Sequence, residues 1–394
     1  MTKIKTSLIV ILLVLTGSMF AQRKQTDSTM TYKSTIPDKK QSLLKNVAVI
    51  ANTQINFRSD YTDGEFDGAK FTFEQFRMEI KGYVHENVFF RFRHRYTSSF
   101  EPQSVDKIIK GVDFAYLRFD ITDKWQLTVG KTYADWGGIE FDLNPIDIYY
   151  YSDIIEMADN FLTGVEIWHQ ASENHGFGFQ ILDSRTATFN ELYGDVPGLT
   201  AAKIPLAAIV NWRGNFWDGK FSTIWSYSIF TEAEGVGKQY IALGNLYQSG
   251  DWYVAYDFKI SMEDLDRTGI VSSEIPDDLY PYAVQNTLYQ SHWTRINYKL
   301  SKKWRLSLDA FIDLAYWTDD LDPLQTEDKF RTVYSYIPTV EFYPWDNLNL
   351  KFFAGYVGRN FVYSDYAKTR PGLEKKDYST GKLMIGIISP LHIL

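Results

Sequence analysis

The sequence lacks cysteine altogether, which excludes disulfides, thiolate metal sites and a cysteine nucleophile. Its six histidines show neither an HExxH pattern nor another spacing typical of metal ligands. A serine nucleophile with a histidine base is disfavoured, because Ser291 and His292 are adjacent and would point to opposite faces of a strand. The sequence therefore predicts no enzyme, no bound metal and no cofactor.

Basic residues are also in deficit, 41 against 49 acidic residues, which argues against nucleic acid as a partner. The apolar run Leu8 to Leu15 follows two lysines and is shorter than the ~20 residues of a membrane-spanning helix. No later segment is long and apolar enough to be such a helix. We predict that residues 1–21 are a secretory signal peptide and that the polar residues 22–45 are a periplasmic linker.

From residue 46 to residue 394 the chain repeatedly alternates polar and apolar residues with the period of a β-strand. The clearest case is Asn87 to Tyr96, where Arg91, Arg93 and Arg95 share one face and mainly apolar side chains share the other. In a membrane barrel the apolar face meets lipid and the arginines line an aqueous lumen. In a soluble protein the same faces would meet a core and bulk water.

Connections of two lengths separate these strands. Short polar turns are predicted at His85–Asn87, Thr122–Lys124, Ala171–His175, Gly214–Gly219, Gln248–Asp251, Leu300–Lys303 and Pro344–Asn347. Longer loops are predicted at Ser59–Gly68, Thr97–Gly111, Thr132–Asn160, Ser184–Ala201, Thr231–Gly237, Met262–Tyr282, Ala315–Phe330 and Gly358–Asp377. The pattern predicts an all-β fold, a transmembrane antiparallel up-and-down β-barrel of about 16 strands with long extracellular loops.

Tryptophan supports the same arrangement, because five tryptophans lie in or next to the short turns. They are Trp125, Trp217, Trp252, Trp304 and Trp345. An amphipathic indole is favoured at the level of the lipid headgroups, so this set is interpreted as the periplasmic aromatic girdle. Strand ends in a soluble sandwich are the alternative interpretation.

Three stretches carry a family resemblance: VFFRFRHRY, FAYLRFDITDKWQLTVGKTYADWGG and FDLNPIDIYYYSD. With the strand pairs that follow, the chain resembles the phosphate-selective porin O and P family in the form found in Bacteroidetes. The resemblance implies an outer-membrane porin of 16 strands, usually a homotrimer, with a third loop folded into the pore and basic residues conducting anions. Contact with a neighbouring barrel would then explain His94 on an otherwise apolar outward face; exposure near the rim is the alternative.

The row of arginines suggests how such a pore would treat ions. Strand geometry spaces the three at about 6.6 Å, and rows of arginine favour anions. The predicted pore-lining and anion-binding residues are Arg91, Arg93, Arg95, Arg77, Lys81, Arg58, Arg118 and Arg305. In the opposing interpretation these arginines face acidic groups and only create a field across the pore.

The third loop gives weight to that interpretation, because no lysine or arginine occurs between Lys131 and Arg185. The predicted constriction-loop residues are Asp135, Glu140, Asp142, Asp147, Tyr149, Tyr150 and Tyr151. If this loop enters the barrel, its carboxylates are expected to meet the arginines and to offset their attraction for anions. The tyrosines could line a path for sugars or pack the loop against the wall.

The sequence thus predicts a passive, water-filled channel in the outer membrane for small hydrophilic solutes, with anions such as phosphate as the favoured class. A weakly selective or carbohydrate-conducting porin and a non-conducting structural or adhesive barrel are the alternatives. Expected partners are outer-membrane lipid, lipopolysaccharide, small solutes or inorganic anions, and two further copies of the chain.

Overall fold

The computed structural model describes residues 47–97, 104–318, 325 and 327–394. The predicted signal peptide and linker lie outside these residues. Within the described part of the chain, no helix has the length and apolar character needed to cross a membrane.

Sixteen antiparallel strands form one closed barrel, in which each strand pairs with its sequence neighbours and β1 pairs with β16. The strands are β1 Val47–Thr62, β2 Glu65–His85, β3 Val88–Arg95, β4 Val112–Asp120, β5 Trp125–Tyr133, β6 Phe161–Gln170, β7 His175–Asp183, β8 Leu206–Phe216, β9 Phe221–Ala233, β10 Val236–Ser249, β11 Trp252–Leu265, β12 Gln285–Lys299, β13 Trp304–Trp317, β14 Lys329–Phe342, β15 Lys351–Tyr363 and β16 Tyr378–His392. The predicted fold is confirmed.

The alternation of side chains gives the wall two chemically different faces. On β1, Ile55 and Phe57 are 37% and 41% exposed on the outside, while Gln54 and Asn56 are 1% exposed on the inside. The five tryptophans of the predicted girdle are all exposed: Trp125, Trp252 and Trp304 begin strands, and Trp217 and Trp345 lie in the connections next to strand ends. Exposed apolar side chains on the outside of a closed barrel are the pattern expected for contact with lipid.

Two of the predicted long loops are wrong. Strand pairing continues through Ser59–Gly68 until Thr62 stands opposite Glu65, so that β1 and β2 are joined by a tight turn. Asp63 and Gly64 adopt φ values of 50° and 82°, the left-handed conformation that a two-residue hairpin turn requires. A second tight turn joins β9 to β10 within the predicted loop 231–237.

Residues 134–160, here called the strap, connect β5 to β6 and contain α1 (Ile139–Asp142), a 3₁₀ turn (Pro145–Asp147) and α2 (Asp153–Met157). Other connections hold α3 (Phe189–Tyr193), a 3₁₀ turn (Ser272–Glu274) and α4 (Asp365–Thr369). The strap and the segments 266–284 and 364–377 pack in apolar clusters against inward-facing residues of β6–β16. Most inward side chains on that side are therefore buried.

Candidate functional site

The three arginines of β3, here called the ladder, point into the barrel and bind carboxylates of adjacent strands. Arg91 donates from Nε to Oε1 of Glu79 at 3.0 Å, and Arg93 donates from Nε to Oδ2 of Asp113 at 2.9 Å. Nε of Arg95 lies 3.9 Å from Oδ1 of the same aspartate. Arg93 is almost fully buried, whereas the side chains of Arg91 and Arg95 remain 24% and 35% exposed. The ladder is thus held in place by ion pairs and is partly open to solvent.

Two cations of β2 join the same cluster. Nη1 of Arg77 is 3.7 Å from Oδ2 of Asp113, and Nζ of Lys81 is 3.6 Å from Oε1 of Glu79. Five cations of β2 and β3 therefore lie around the two carboxylates of Glu79 and Asp113. The guanidinium groups of two ladder arginines also lie 4.2 and 4.1 Å from the ring centre of Phe114. We call this set the β2–β4 cluster.

The other predicted pore-lining arginines are individually paired. Arg58 binds Asp60 and Glu74, Arg118 binds Asp120 and the hydroxyl of Tyr83, and Arg305 lies near Glu341. Their side chains stay 19%, 19% and 39% exposed. They point inward at separate places on the wall, so the structure does not bring them together with the ladder.

The strap lies inside the barrel because its contacts are with inward-facing side chains. The backbone N–H groups of Ile139 and Glu140, at the start of α1, donate to the carboxylate of Asp257 on β11 at 3.0 and 2.8 Å. Gly244 on β10 permits this approach, since a Cβ there would lie 2.6 Å from the backbone nitrogen of Ile139. A larger residue at that position would displace the strap.

Ion pairs then fix the strap along its length. Asp135 and Asp142 bind Arg213 of β8, Glu140 binds Lys259 of β11, Asp147 binds Lys351 of β15, Asp153 binds Arg331 of β14 and Arg359 of β15, and Asp159 binds Arg267. Asp135 and Glu140 are 2% and 0% exposed, so both anchor the strap within a dry contact. Asp142 and Asp147 keep side chains that are 47% and 40% exposed.

The expectation that the loop carboxylates meet the ladder is therefore wrong. Each of the six carboxylates just described binds a cation of β8, β11, β14 or β15 or of the segment after β11. The reason is the course of the strap, which runs from β5 across the lumen and then returns to β6. On the way it packs against the wall opposite the ladder, β8–β16, here called the far wall. The acid content of the loop consequently does not cancel the positive charge of the β2–β4 cluster.

The three consecutive tyrosines of the strap separate into two environments. The ring of Tyr149 packs 5.0 Å from that of Phe353, and the hydroxyl of Tyr150 accepts a hydrogen bond from Arg359 at 2.7 Å. Burial raises the pKa of Tyr150 to about 12 despite that arginine, so its phenol is neutral at physiological pH. Tyr151 instead lies where the charges of two arginines of the β2–β4 cluster act on it.

Several residues of this site were not singled out from the sequence. Lys259 and Lys351 were on the polar face of their predicted strands, and Arg359 shares that face with Lys351, so period-2 alternation could have identified all three. Asp113 could not be found in this way. The pairing of β3 with β4 is irregular next to Arg93, and this break in alternation turns Asp113 toward the ladder.

The family model described as phosphate-selective porin O and P matches residues 47–384. The chain belongs to this family. Three solved structures have a similar fold at 9% or 10% sequence identity. The channel DcaP of Acinetobacter baumannii has a TM-score of 0.56 at 10% identity, over 87% of this chain and 98% of its own. The anion-selective porin from Comamonas acidovorans has a TM-score of 0.53 at 10% identity, over 87% of this chain and 98% of its own. OmpT of Vibrio cholerae has a TM-score of 0.51 at 9% identity, over 87% of this chain and 98% of its own.

No curated protein matches the chain. Family and fold together identify an outer-membrane porin, a passive channel and not an enzyme.

Proposed function

We propose that this porin conducts small inorganic anions, phosphate among them, by diffusion along the wall formed by β1–β4. The observation that carries the proposal is the concentration of five cations around Glu79 and Asp113 in the β2–β4 cluster, while the six ion-paired carboxylates of the strap bind other cations. Rows of arginine favour anions in a pore, and the guanidinium fork suits phosphate oxygens. The exposed fractions of Arg91 and Arg95 give a passing anion access to this charge.

The carbohydrate alternative has little support from the tyrosines. Tyr149 and Tyr150 pack against the wall, so only Tyr151 lies beside the cationic cluster. A barrel that is closed in this conformation is the second candidate, and it is favoured by the apolar clusters that bury inward-facing residues of β6–β16.

Reconstitution in a planar bilayer tests these functions. In a tenfold gradient of potassium chloride, the sign of the reversal potential should show that chloride is more permeant than potassium. Replacing potassium chloride by potassium phosphate should retain an anion current. A cation-selective reversal potential would contradict the proposal, and an inserted protein without conductance would support the closed barrel.

We also propose that the porin is a homotrimer in contact with outer-membrane lipid and lipopolysaccharide. An OmpT structure of Vibrio cholerae described as a trimer form shares the fold, with a TM-score of 0.50. On β3, the ring of His94 lies 4.5 Å from that of Tyr96, and among the described residues no partner hydrogen-bonds its buried Nδ1. A neighbouring barrel could supply that partner. Mass measurement in detergent tests the assembly; a monomer would contradict it.

A further inference from the structure

Arginines and aromatic residues alternate along the inner face of β3 and β4. Phe89 lies two residues before Arg91, so it shares the inward face of β3 with the ladder. In the strand register, three successive cross-strand pairs each join one arginine to one aromatic residue: Phe89–Arg118, Arg91–Tyr116 and Arg93–Phe114. We call these six residues the aromatic–arginine row. Its charged groups and its rings therefore occupy the same surface.

The first pair of the row is a stacked contact at the end of the barrel that bears the short turns. The guanidinium carbon of Arg118 lies 4.6 Å from the ring centre of Phe89 and 5.9 Å from that of Tyr83. Tyr83 stands opposite Phe89 on β2, with the two ring centres 5.2 Å apart. The turn is close by, because the backbone N–H of Asp120 donates to the carbonyl of Asn87 at 2.9 Å.

Hydrogen bonds fix the guanidinium of Arg118 in this position. Its Nε donates to Oδ1 of Asp120 at 3.0 Å and its Nη2 donates to the hydroxyl of Tyr83 at 2.7 Å. That hydroxyl in turn donates to Oδ2 of Asp120 at 3.1 Å. The two bonds of Arg118 use two of the five N–H donors of a guanidinium, and the side chain remains 19% exposed. The group is thus held in one orientation and is still open to a solute.

This surface offers two kinds of contact to one solute. The N–H edge of a guanidinium binds carboxylate or phosphate oxygens, whereas its flat face and the faces of aromatic rings attract planar groups. Tyr83 is 38% exposed and Phe89 is half-buried, so both rings are within reach of the lumen. Phe114, at the other end of the row, is 4% exposed and only supports the ladder arginines from behind. Phosphate and chloride can use the edge alone, while an aromatic carboxylate can use the edge and the faces together.

We propose that Tyr83, Phe89 and Arg118 form a binding site for aromatic carboxylates, and that the porin admits these organic anions as well as inorganic ones. The carboxylate of the solute is bound by N–H groups of Arg118, and its ring lies against the faces of the same guanidinium and the neighbouring rings. The inference rests on the proposed anion conduction and adds a class of solute to it.

Block of the chloride current measures binding at this site. Benzoate and cyclohexanecarboxylate have the same charge and nearly the same size, but only benzoate has a flat aromatic ring. The concentration that halves the single-channel chloride current should be about threefold lower for benzoate, the factor expected for one cation–π contact at a solvent-exposed site.

Two variants assign this difference to the proposed residues. Phe89→Leu removes the ring and keeps an apolar side chain, and Arg118→Lys keeps the charge and removes the flat face. In each variant the two compounds should block at equal concentrations. The matched control is Phe92→Leu, the same change on the outward face of β3, where Phe92 is 39% exposed. It should keep the threefold difference.

The outcomes separate the two proposals. Saturation-transfer NMR on the protein in detergent compares binding of the two compounds without any need for conduction. A wild-type channel that prefers cations would overturn anion conduction, while the NMR comparison still measures the site. An anion-selective channel that both compounds block equally, or in which benzoate keeps its advantage in Phe89→Leu and Arg118→Lys, would overturn the aromatic-carboxylate site alone.

Discussion

Removal of one buried charge from the strap should open the pore. Glu140 is fully buried and binds Nζ of Lys259, and it also accepts hydrogen bonds from the backbone N–H and the hydroxyl of Ser152, both at 2.7 Å. Glu140→Gln keeps the shape of the side chain and removes its charge. Lys259 is then left buried with Asp257, 3.6 Å away, as its remaining carboxylate.

The magnitude follows from these contacts. Breaking a buried ion pair by removing one partner costs about 3–5 kcal/mol. Asp257 continues to compensate Lys259, so the lower value, about 3 kcal/mol, is expected. If that loss falls on the docking of the strap, the population of detached straps rises roughly a hundredfold, since 1.4 kcal/mol is a factor of ten. The chain would stay in its barrel, because strand pairing is unchanged.

Single-channel recording measures this effect directly. Glu140→Gln should add brief openings of larger conductance and admit larger solutes in a liposome-swelling assay, with circular dichroism unchanged. Asp142→Asn is the matched control, because its side chain is half exposed and Arg213 keeps Asp135 at 2.8 Å. Its effect should be about 0–1 kcal/mol. Indistinguishable recordings from Glu140→Gln and the wild type would refute the reasoning.

Three further predictions follow from the site. Alanine in place of all three ladder arginines should move the reversal potential toward that of a non-selective pore, and unchanged selectivity would remove the ladder from the mechanism. Gly244→Ala should give large openings like those of Glu140→Gln, because the added Cβ would meet the backbone of α1; a normal conductance trace would argue against that contact. Burial opposes ionisation of Asp159, but Arg267 and hydrogen bonds from Thr186 hold its pKa below the usual value. This ion pair therefore stabilises the strap above about pH 4 and is lost as the pH falls further, so acid should increase large openings, whereas Asp159→Asn should show them at neutral pH.

The barrel could be predicted from the sequence because its wall is a local pattern. On β1 the alternation of Ile55 and Phe57 with Gln54 and Asn56 indicates which face meets lipid. Other strands carry the same kind of local signal independently. The sheet is then expected to close into a barrel, because closure pairs the two strand edges that an open sheet would leave unpaired. The tight turn at Asp63 and Gly64 was also encoded, since an Asp-Gly pair between two strands is a strong hairpin signal.

The interior could not be predicted in the same way, because it depends on which side chains meet across the lumen. The acidity of the strap was evident, but its partners lie between 71 and 206 residues away, as in the pairs Asp142–Arg213 and Asp153–Arg359. Nothing in a local pattern selects the far wall over the ladder. The apolar residues of the strap make that choice, because Ile139 and Ile146 bury themselves beside Trp293 and Phe353. The apolar contacts thus set the position of the strap, and that position decides which cations its carboxylates meet.

By this order of causes, a chain with eight more acidic than basic residues would present the cationic path proposed above. The apolar contacts bring six carboxylates of the strap close to arginines and lysines that pair with them. The wall formed by β2–β4 receives none of these six carboxylates, and its five cations lie around Glu79 and Asp113. Buried charges act on their immediate partners and exposed ones act on ions in the lumen. We therefore expect selectivity to depend on the charges that remain exposed inside the barrel, among them Arg91, Arg95 and Arg305 on the wall and Asp142 and Asp147 on the strap.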